Sequence, residues 1–381
     1  MVFRRRAVAN LGLSMPVDVR DLSEPVAALA KAWGGRGVFL TGHTGFKGGW
    51  MTALLSQLGA KVTGYALAPE PGPSLFEAAR IGDLVEASII ADIRDGARVK
   101  QAMQAAEPEV VFHLAAQALV RRARDQPDET FETNVMGTLR VLEAVRATPS
   151  VKAVVVVTSD KVYDNREWPW PYRETDVLGG KEPYGASKAA SEMVVQAYRH
   201  SYFSDGARPV AIATARAGNV IGGGDWAVDR LVPDAIRAFT VGKPLVVRNP
   251  SAVRPWQHAL EPLAGYIFLA DALLNGLVLP EDCSFNFGPN GDDAQPVSMV
   301  ADVLANRWGG DASWTRDPTT QPYEARLLEV DASRARSVLG WSPRWRLDMG
   351  LYRTVEWYRA VRAGADARRV TMDQIELYLH G

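Results

Sequence analysis

The chain has 381 residues and a single cysteine, Cys283. That excludes an intrachain disulfide framework and any cysteine-cluster metal site. Cys283 reads as a small buried apolar residue. Histidine is nearly as scarce, with 5 residues at His43, His113, His200, His258 and His380 in no zinc-like spacing, so no metal site is expected. Neither sign of charge dominates: Lys and Arg number 43, Asp and Glu 44, for a net charge of −1. This speaks against nucleic acid or a membrane surface as partner. No segment approaches the roughly 20 apolar residues of a membrane span. Arg4-Arg5-Arg6 is not followed by the apolar stretch of a secretory signal, and a cytoplasmic protein is expected.

What is present is a hydrophobic content of 47%, enough for an extensive core and, at this length, for two lobes. Residues 1–34 read as an N-terminal extension with a short helix near Val26–Trp33, and Met15 is an alternative start. Strand-like stretches follow at Lys61–Tyr65, Ala87–Ala91, Glu109–His113, Lys152–Thr158 and Pro209–Ala215. Helical patterns intervene at Trp50–Leu58, Ala97–Ala105, Asn134–Ala147 and Pro183–Tyr202. Such alternation predicts an α/β doubly wound parallel sheet over 35–215, with ligands at the carboxyl ends of its strands. From Arg216 onward glycine, proline and tryptophan punctuate the chain. Residues 216–381 therefore read mainly as a smaller, loop-rich substrate lobe, with some segments returning to the first domain. Trp308, Trp314 and Trp341 are expected to pack, and Arg254 to bind phosphate.

The first strand, Gly37-Val38-Phe39-Leu40-Thr41, runs into Gly42-His43-Thr44-Gly45-Phe46-Lys47-Gly48 and then a helix-like segment. Gly42 allows a tight turn, Gly45 a close approach of backbone N–H groups to a pyrophosphate, and Gly48 close helix packing. The anion then sits at the helix N-terminus. An ordinary strand-to-helix turn is the alternative. His43 and Lys47 read either as extra donors to the phosphates or as solvated loop residues.

Further along stand Thr158-Ser159-Asp160-Lys161 and Tyr184-Gly185-Ala186-Ser187-Lys188. On a helix, Tyr184 and Lys188 share one face. A cationic neighbour there would lower the tyrosine pKa from about 10 and make it a base near neutral pH. Ser159 can hydrogen-bond the same substrate oxygen. Such a set removes a proton from an alcohol while its hydride goes elsewhere. Asp160 and Lys161 exceed that task and point to a more specific reaction.

With His113-Leu114-Ala115-Ala116-Gln117, Gly218–Trp226 and Arg254-Pro255-Trp256-Gln257-His258, these motifs resemble the extended short-chain dehydrogenase/reductases. The resemblance covers about Trp33 to Ala360 and is strongest to the sugar-nucleotide 4,6-dehydratases that act on CDP-glucose. It implies a Rossmann domain, NAD as cofactor, a CDP-hexose as substrate and a homodimer or homotetramer. It implies also that Tyr184, aided by Ser159 and Lys188, deprotonates the sugar 4-hydroxyl. By position, Lys161 would take the C5 proton and Asp160 would protonate the departing 6-hydroxyl; a relay through water is an alternative. Asp92 and Ile93 would face adenine, and Leu114, Ala115 and Ala116 the nicotinamide half. Gln117, Asn219, Trp226, Arg230, Arg254 and Asn286 are the substrate contacts carried over.

The chain lacks one usual dinucleotide signature, as the CDP branch does, and departs from the family in two further places. Gly64-Tyr65-Ala66-Leu67 has no acid for the adenosine ribose and no arginine for a 2′-phosphate. Ala118 to Arg124 lacks the family's proline, serine and tyrosine, and Pro322-Tyr323-Glu324-Ala325 has tyrosine in place of histidine. These leave open a sugar-nucleotide epimerase or reductase, or a non-catalytic NAD-binding regulator.

Overall fold

The structure, a computed structural model, describes residues 29–204, 209–279, 282–319 and 325–380. The extension up to residue 28, the alternative start at Met15 and Pro322-Tyr323-Glu324 lie outside the described residues. Seven strands form one sheet: β1 (Gly37–Thr41), β2 (Lys61–Ala66), β3 (Ala87–Ile90), β4 (Val110–His113), β5 (Ala153–Val157), β6 (Ala211–Ala217) and β7 (Ser284–Phe287). Their order is β7-β6-β5-β4-β1-β2-β3, and every neighbouring pair is parallel. The fold is a doubly wound Rossmann-type α/β sheet, as the alternation predicted.

β5 shows why the sequence folds this way. Its five residues, Ala-Val-Val-Val-Val, are all buried; a parallel strand covered on both faces needs a continuous apolar run. In β1 the pleat divides the side chains, Val38 and Leu40 entering one core and Phe39 the other. The first core is closed by helices α1 (Phe46–Gln57) and α5 (Leu260–Leu274), and by α6 (Leu347–Arg362) and α7 (Ala367–His380) near the C-terminus. The second is closed by α2 (Gly96–Ala106), α3 (Gly137–Arg146) and α4 (Pro183–Tyr198). α4 starts at Pro183, and the Glu182 carboxylate accepts from the N–H groups of Tyr184 and Gly185.

Several boundaries differ from the sequence reading. Trp33, assigned to the extension, is fully buried and stacks on Phe112. The packed chain thus begins before residue 35. The helix expected over 134–147 is α3 preceded by a π-helical turn, Glu132–Met136. Asn134 in that turn is buried, accepting from the Gln117 N–H and donating to Ser187 Oγ. α4 likewise stops at Tyr198 and passes into a π-helical turn, Arg199–Phe203.

The later part of the chain is not a separate body. It leaves the sheet after β6, forms short strand pairs such as Leu245–Val247 with Trp314–Arg316, and returns as β7 beside β6. Among the described residues no helix is long and apolar enough to cross a membrane. Nor does any group of His, Cys, Asp and Glu there have the makings of a metal site.

Candidate active site

A cleft of about 1500 Å³ lies at the carboxyl ends of the strands. It exceeds the roughly 300–1,000 Å³ of a site for one small ligand, so two ligands fit side by side. Gly42, Gly45, Phe46, Lys47, Gly48, Asp92, Ile93, Leu114, Ala115 and Ala116 line one part. Ser159, Asp160, Lys161, Tyr184 and Lys188 stand in the middle, with Gln117, Asn219, Trp226, Arg230 and Arg254 further on.

The glycine loop is built for close approach. Gly42 has φ of +82°, and a Cβ there would meet Ala115 N at 2.8 Å. A Cβ on Gly48 would come within 1.9 Å of the Gly42 carbonyl oxygen. α1 begins at Gly45 without a side-chain cap, so the first-turn N–H groups face the cleft with no intrahelical partner. Thr44 Oγ1 donates to the Leu67 carbonyl and ties this loop to the end of β2. The cradle fits a dinucleotide pyrophosphate.

Two loop residues behave differently from expectation. His43 does not line the cleft. Its ring packs under Gly64 and edge-on to Phe76, and Nε2 meets Ser88 Oγ at 2.8 Å. Burial pulls this imidazole down to about 4, so it stays neutral. Lys47 does reach the cleft, but its Nζ donates to Tyr266 Oη at 2.8 Å. Burial, with Lys188 and Arg230 nearby, lowers it to about 7. At the far end of the loop side, Asp92 is gripped by the Arg94 guanidinium through both carboxylate oxygens.

Ser159, Asp160 and Lys161 continue from β5 as a short 3-10 turn. Ser159 Oγ donates to Asp160 Oδ1 at 3.0 Å, and Lys161 Nζ lies 3.8 Å from the same oxygen. Asp160 is buried, and its Oδ2 has no hydrogen-bond partner among the described residues. A Cβ on Gly218 would meet Pro255 Cγ at 2.6 Å and come within 3.1 Å of that oxygen, so a side chain there would crowd it. Asn219 Oδ1 is a second buried acceptor without a partner there. Such groups are destabilising unless something binds them.

Tyr184 and Lys188 lie on one face of α4, but not in the protonation pattern expected. Burial pushes the Tyr184 phenol up to about 12, opposed by its interaction with the Ser159 side chain. Lys188 Nζ donates instead to the Val157 carbonyl at 3.1 Å. Burial lowers Lys188 to about 8, opposed by Glu192. Desolvation here outweighs the cationic neighbour that the sequence suggested.

Among the nucleotide-sugar candidates, Arg230 donates to Asp225 Oδ2 at 3.0 Å and Arg254 to the Val253 carbonyl at 2.9 Å. Trp226 stands edge-on to Tyr358. Gln117 is engaged with Leu119 and Thr130 through its side-chain amide. Asn286 is a correction. It does not line the cleft; it is fully buried, donates to the Tyr172 and Asp331 carbonyls and accepts from Tyr163. Its role is to join β7 to the loop 163–178. Sequence reasoning missed Arg94, Tyr266, Glu192 and Arg216. Only Glu192 left a visible signal, four residues after Lys188 on the same helix.

Comparison with known proteins agrees with this geometry. The sequence model of the GDP-mannose 4,6 dehydratase family matches residues 39–354, and the chain belongs to that family. Among curated relatives it is 48% identical to the CDP-glucose 4,6-dehydratase of Salmonella typhimurium, over 91% of this chain and 97% of that one. It is 28% identical to a dTDP-glucose 4,6-dehydratase of Xanthomonas campestris, over 84% and 92%. The fold is shared with a UDP-glucose-4-epimerase of Stenotrophomonas maltophila (TM-score 0.73, 23% identity, 87% and 100% covered). It is shared also with a dTDP-glucose 4,6-dehydratase of Bacillus anthracis (TM-score 0.70, 22% identity, 85% and 97% covered).

Proposed function

We propose that this chain is a lyase that dehydrates CDP-D-glucose to CDP-4-keto-6-deoxy-D-glucose. The observation that carries the reading is Asp160. Its buried Oδ2, without a hydrogen-bond partner among the described residues, stands in the cleft beside the Ser159 hydroxyl and the Lys161 amine. A simple alcohol oxidation has no use for an acid and an amine there. The 48% identity to a CDP-glucose 4,6-dehydratase supports the same substrate.

In this reading the glycine cradle, Asp92, Ile93 and Leu114 to Ala116 hold NAD. When bound, NAD would supply the acceptor for the C4 hydride and its donor at C6, and its positive charge in the cleft would favour the phenolate of Tyr184. Tyr184 accepts the proton of the sugar 4-hydroxyl, and Ser159 orients that oxygen. The resulting 4-ketone acidifies C5–H. Lys161 takes the C5 proton, Asp160 gives a proton to the 6-hydroxyl, and the C6–O bond breaks to release water; as the hydride returns to C6, Lys161 gives C5 a proton that has exchanged with solvent. Asn219, Trp226, Arg230 and Arg254 hold the nucleotide diphosphate. A cytoplasmic homodimer or homotetramer belongs to the same proposal; Met193 of α4 and the nearby Tyr202 are exposed apolar surface consistent with assembly.

Incubation with CDP-glucose and NAD in deuterated water tests the reading. The expected product has lost one water, carries one solvent deuterium at C5 and leaves no net NADH. Intact CDP-glucose, or an epimer retaining its 6-hydroxyl, would overturn it.

A further inference from the structure

The helix that carries Tyr184 and Lys188 places a third polar residue on the same face, Glu192, four positions on. It is 4% exposed and buried amid four donated hydrogen bonds. Thr158 Oγ1 donates to Oε1 at 2.6 Å and Thr214 Oγ1 to Oε2 at 2.7 Å. Arg216, itself 3% exposed, closes a two-pronged fork on both oxygens at 2.8 Å. One turn earlier, Lys188 donates to the Val157 carbonyl. Two consecutive residues at the end of β5 are therefore strapped to α4, and the next residue is Ser159.

We propose that Glu192 is a positioning residue for the dehydration, fixing the end of β5 that carries Ser159, Asp160 and Lys161 and setting a negative charge one helical turn from Lys188. The inference rests on the function proposed above. A buried ion pair is a poor source of stability compared with apolar packing, so its place one turn below Lys188 calls for a use beyond stability. Titratable groups face Lys188 from three elements. Glu192 on its own helix favours the cation, while His113 of β4 and Lys47 of α1 face it from neighbouring elements. Arg216 of β6, with Tyr163 and Glu174 behind it, holds Glu192 ionised against burial. Without the carboxylate, Lys188 keeps its desolvation and loses the neighbouring charge that opposes it.

The test is competitive acetylation of Lys188 with acetic anhydride across pH, read by mass spectrometry, on wild type and Glu192→Gln. Lys188 lines the cleft, so the reagent reaches it. The wild-type midpoint is expected at about 8. In the variant it falls by roughly one unit or more, and the alkaline limb of kcat moves down with it. Glu192→Asp, which keeps the charge, restores the midpoint. An unchanged midpoint in Glu192→Gln overturns the proposal. Where that variant fails to fold because Arg216 is left alone, Glu192→Gln/Arg216→Gln decides by the same criterion. A midpoint shift in a protein that leaves CDP-glucose intact refutes the substrate reading and not the Glu192–Lys188 coupling. Turnover with no shift refutes the coupling alone.

Discussion

At the scale of single residues, the site separates proton handling from ligand holding. Lys161 is the proposed C5 base, with a side chain 29% exposed and close to Asp160. Lys161→Met is expected to abolish solvent exchange at C5 and cut turnover on the order of 10²–10⁴-fold. Transient oxidation at C4 should survive, because Tyr184 and Ser159 are untouched. Single-turnover absorbance at 340 nm together with C5 exchange by NMR reads both; normal exchange in the variant would remove Lys161 from the mechanism. Gly48 tests the cradle. A methyl there meets Gly42 O at 1.9 Å and His43 Cα at 2.8 Å, backbone atoms that cannot swing aside. Gly48→Ala is therefore expected to displace the loop and weaken dinucleotide binding by at least about tenfold, measured by fluorescence titration. Unaltered affinity would mean that the loop relaxes without consequence.

At the scale of elements, α5 carries a buried carboxylate that ties down the C-terminal helices. Glu261 accepts from the N–H groups of Arg344 and Trp345 and from Tyr378 Oη of α7. Burial raises it from 4.5 to about 7, with those donors opposing. Between these values the folded protein holds a proton that the unfolded chain has released, so this contribution to stability falls as pH rises. The Tm advantage of wild type over Glu261→Gln should shrink from pH 4.5 to about 7 and then stay level. A constant gap across that range would contradict the assignment. Elements were also the scale at which the sequence was most informative. β5 and the Gly42–Gly48 turn announce themselves, since unbroken valine and spaced glycine have few other uses. His43 and Asn286 were misread for a physical reason: polar side chains carry no mark of whether their partners lie in a cleft or in the core. The Ser159–Lys161 and Tyr184–Lys188 segments, singled out in the sequence, do come together in the cleft. Their protonation was not legible, because desolvation depends on the whole surrounding fold.

At the scale of the molecule, three buried histidines make stability acid-sensitive. Burial lowers His43 to about 4, and His113 and His258 to about 3, from 6.5. In the unfolded chain all three take up protons below about 6.5. Stability is thus fully present above that pH and is lost as pH falls, each group contributing up to about 1.4 kcal/mol per pH unit. Glu261 opposes this as one group against three. Guanidinium denaturation is expected to show markedly lower stability at pH 5 than at pH 7, and equal values would refute the account.

The return of the chain to the sheet as β7 has a bearing on how such enzymes can be rebuilt. The residues between β6 and β7 shape the far part of the cleft, while β7 pairs with β6 and buries Phe285 and Phe287 in the common core. This part of the chain is thereby an insertion stitched at both ends and anchored by α5 in the common core, not a cassette. A graft from a sibling enzyme would have to begin after Ala217 and finish before Leu260, where α5 enters the common core. A transplant of everything past residue 216 would carry a core strand fitted to another host, and it would fail by mispacking before its substrate preference could be seen.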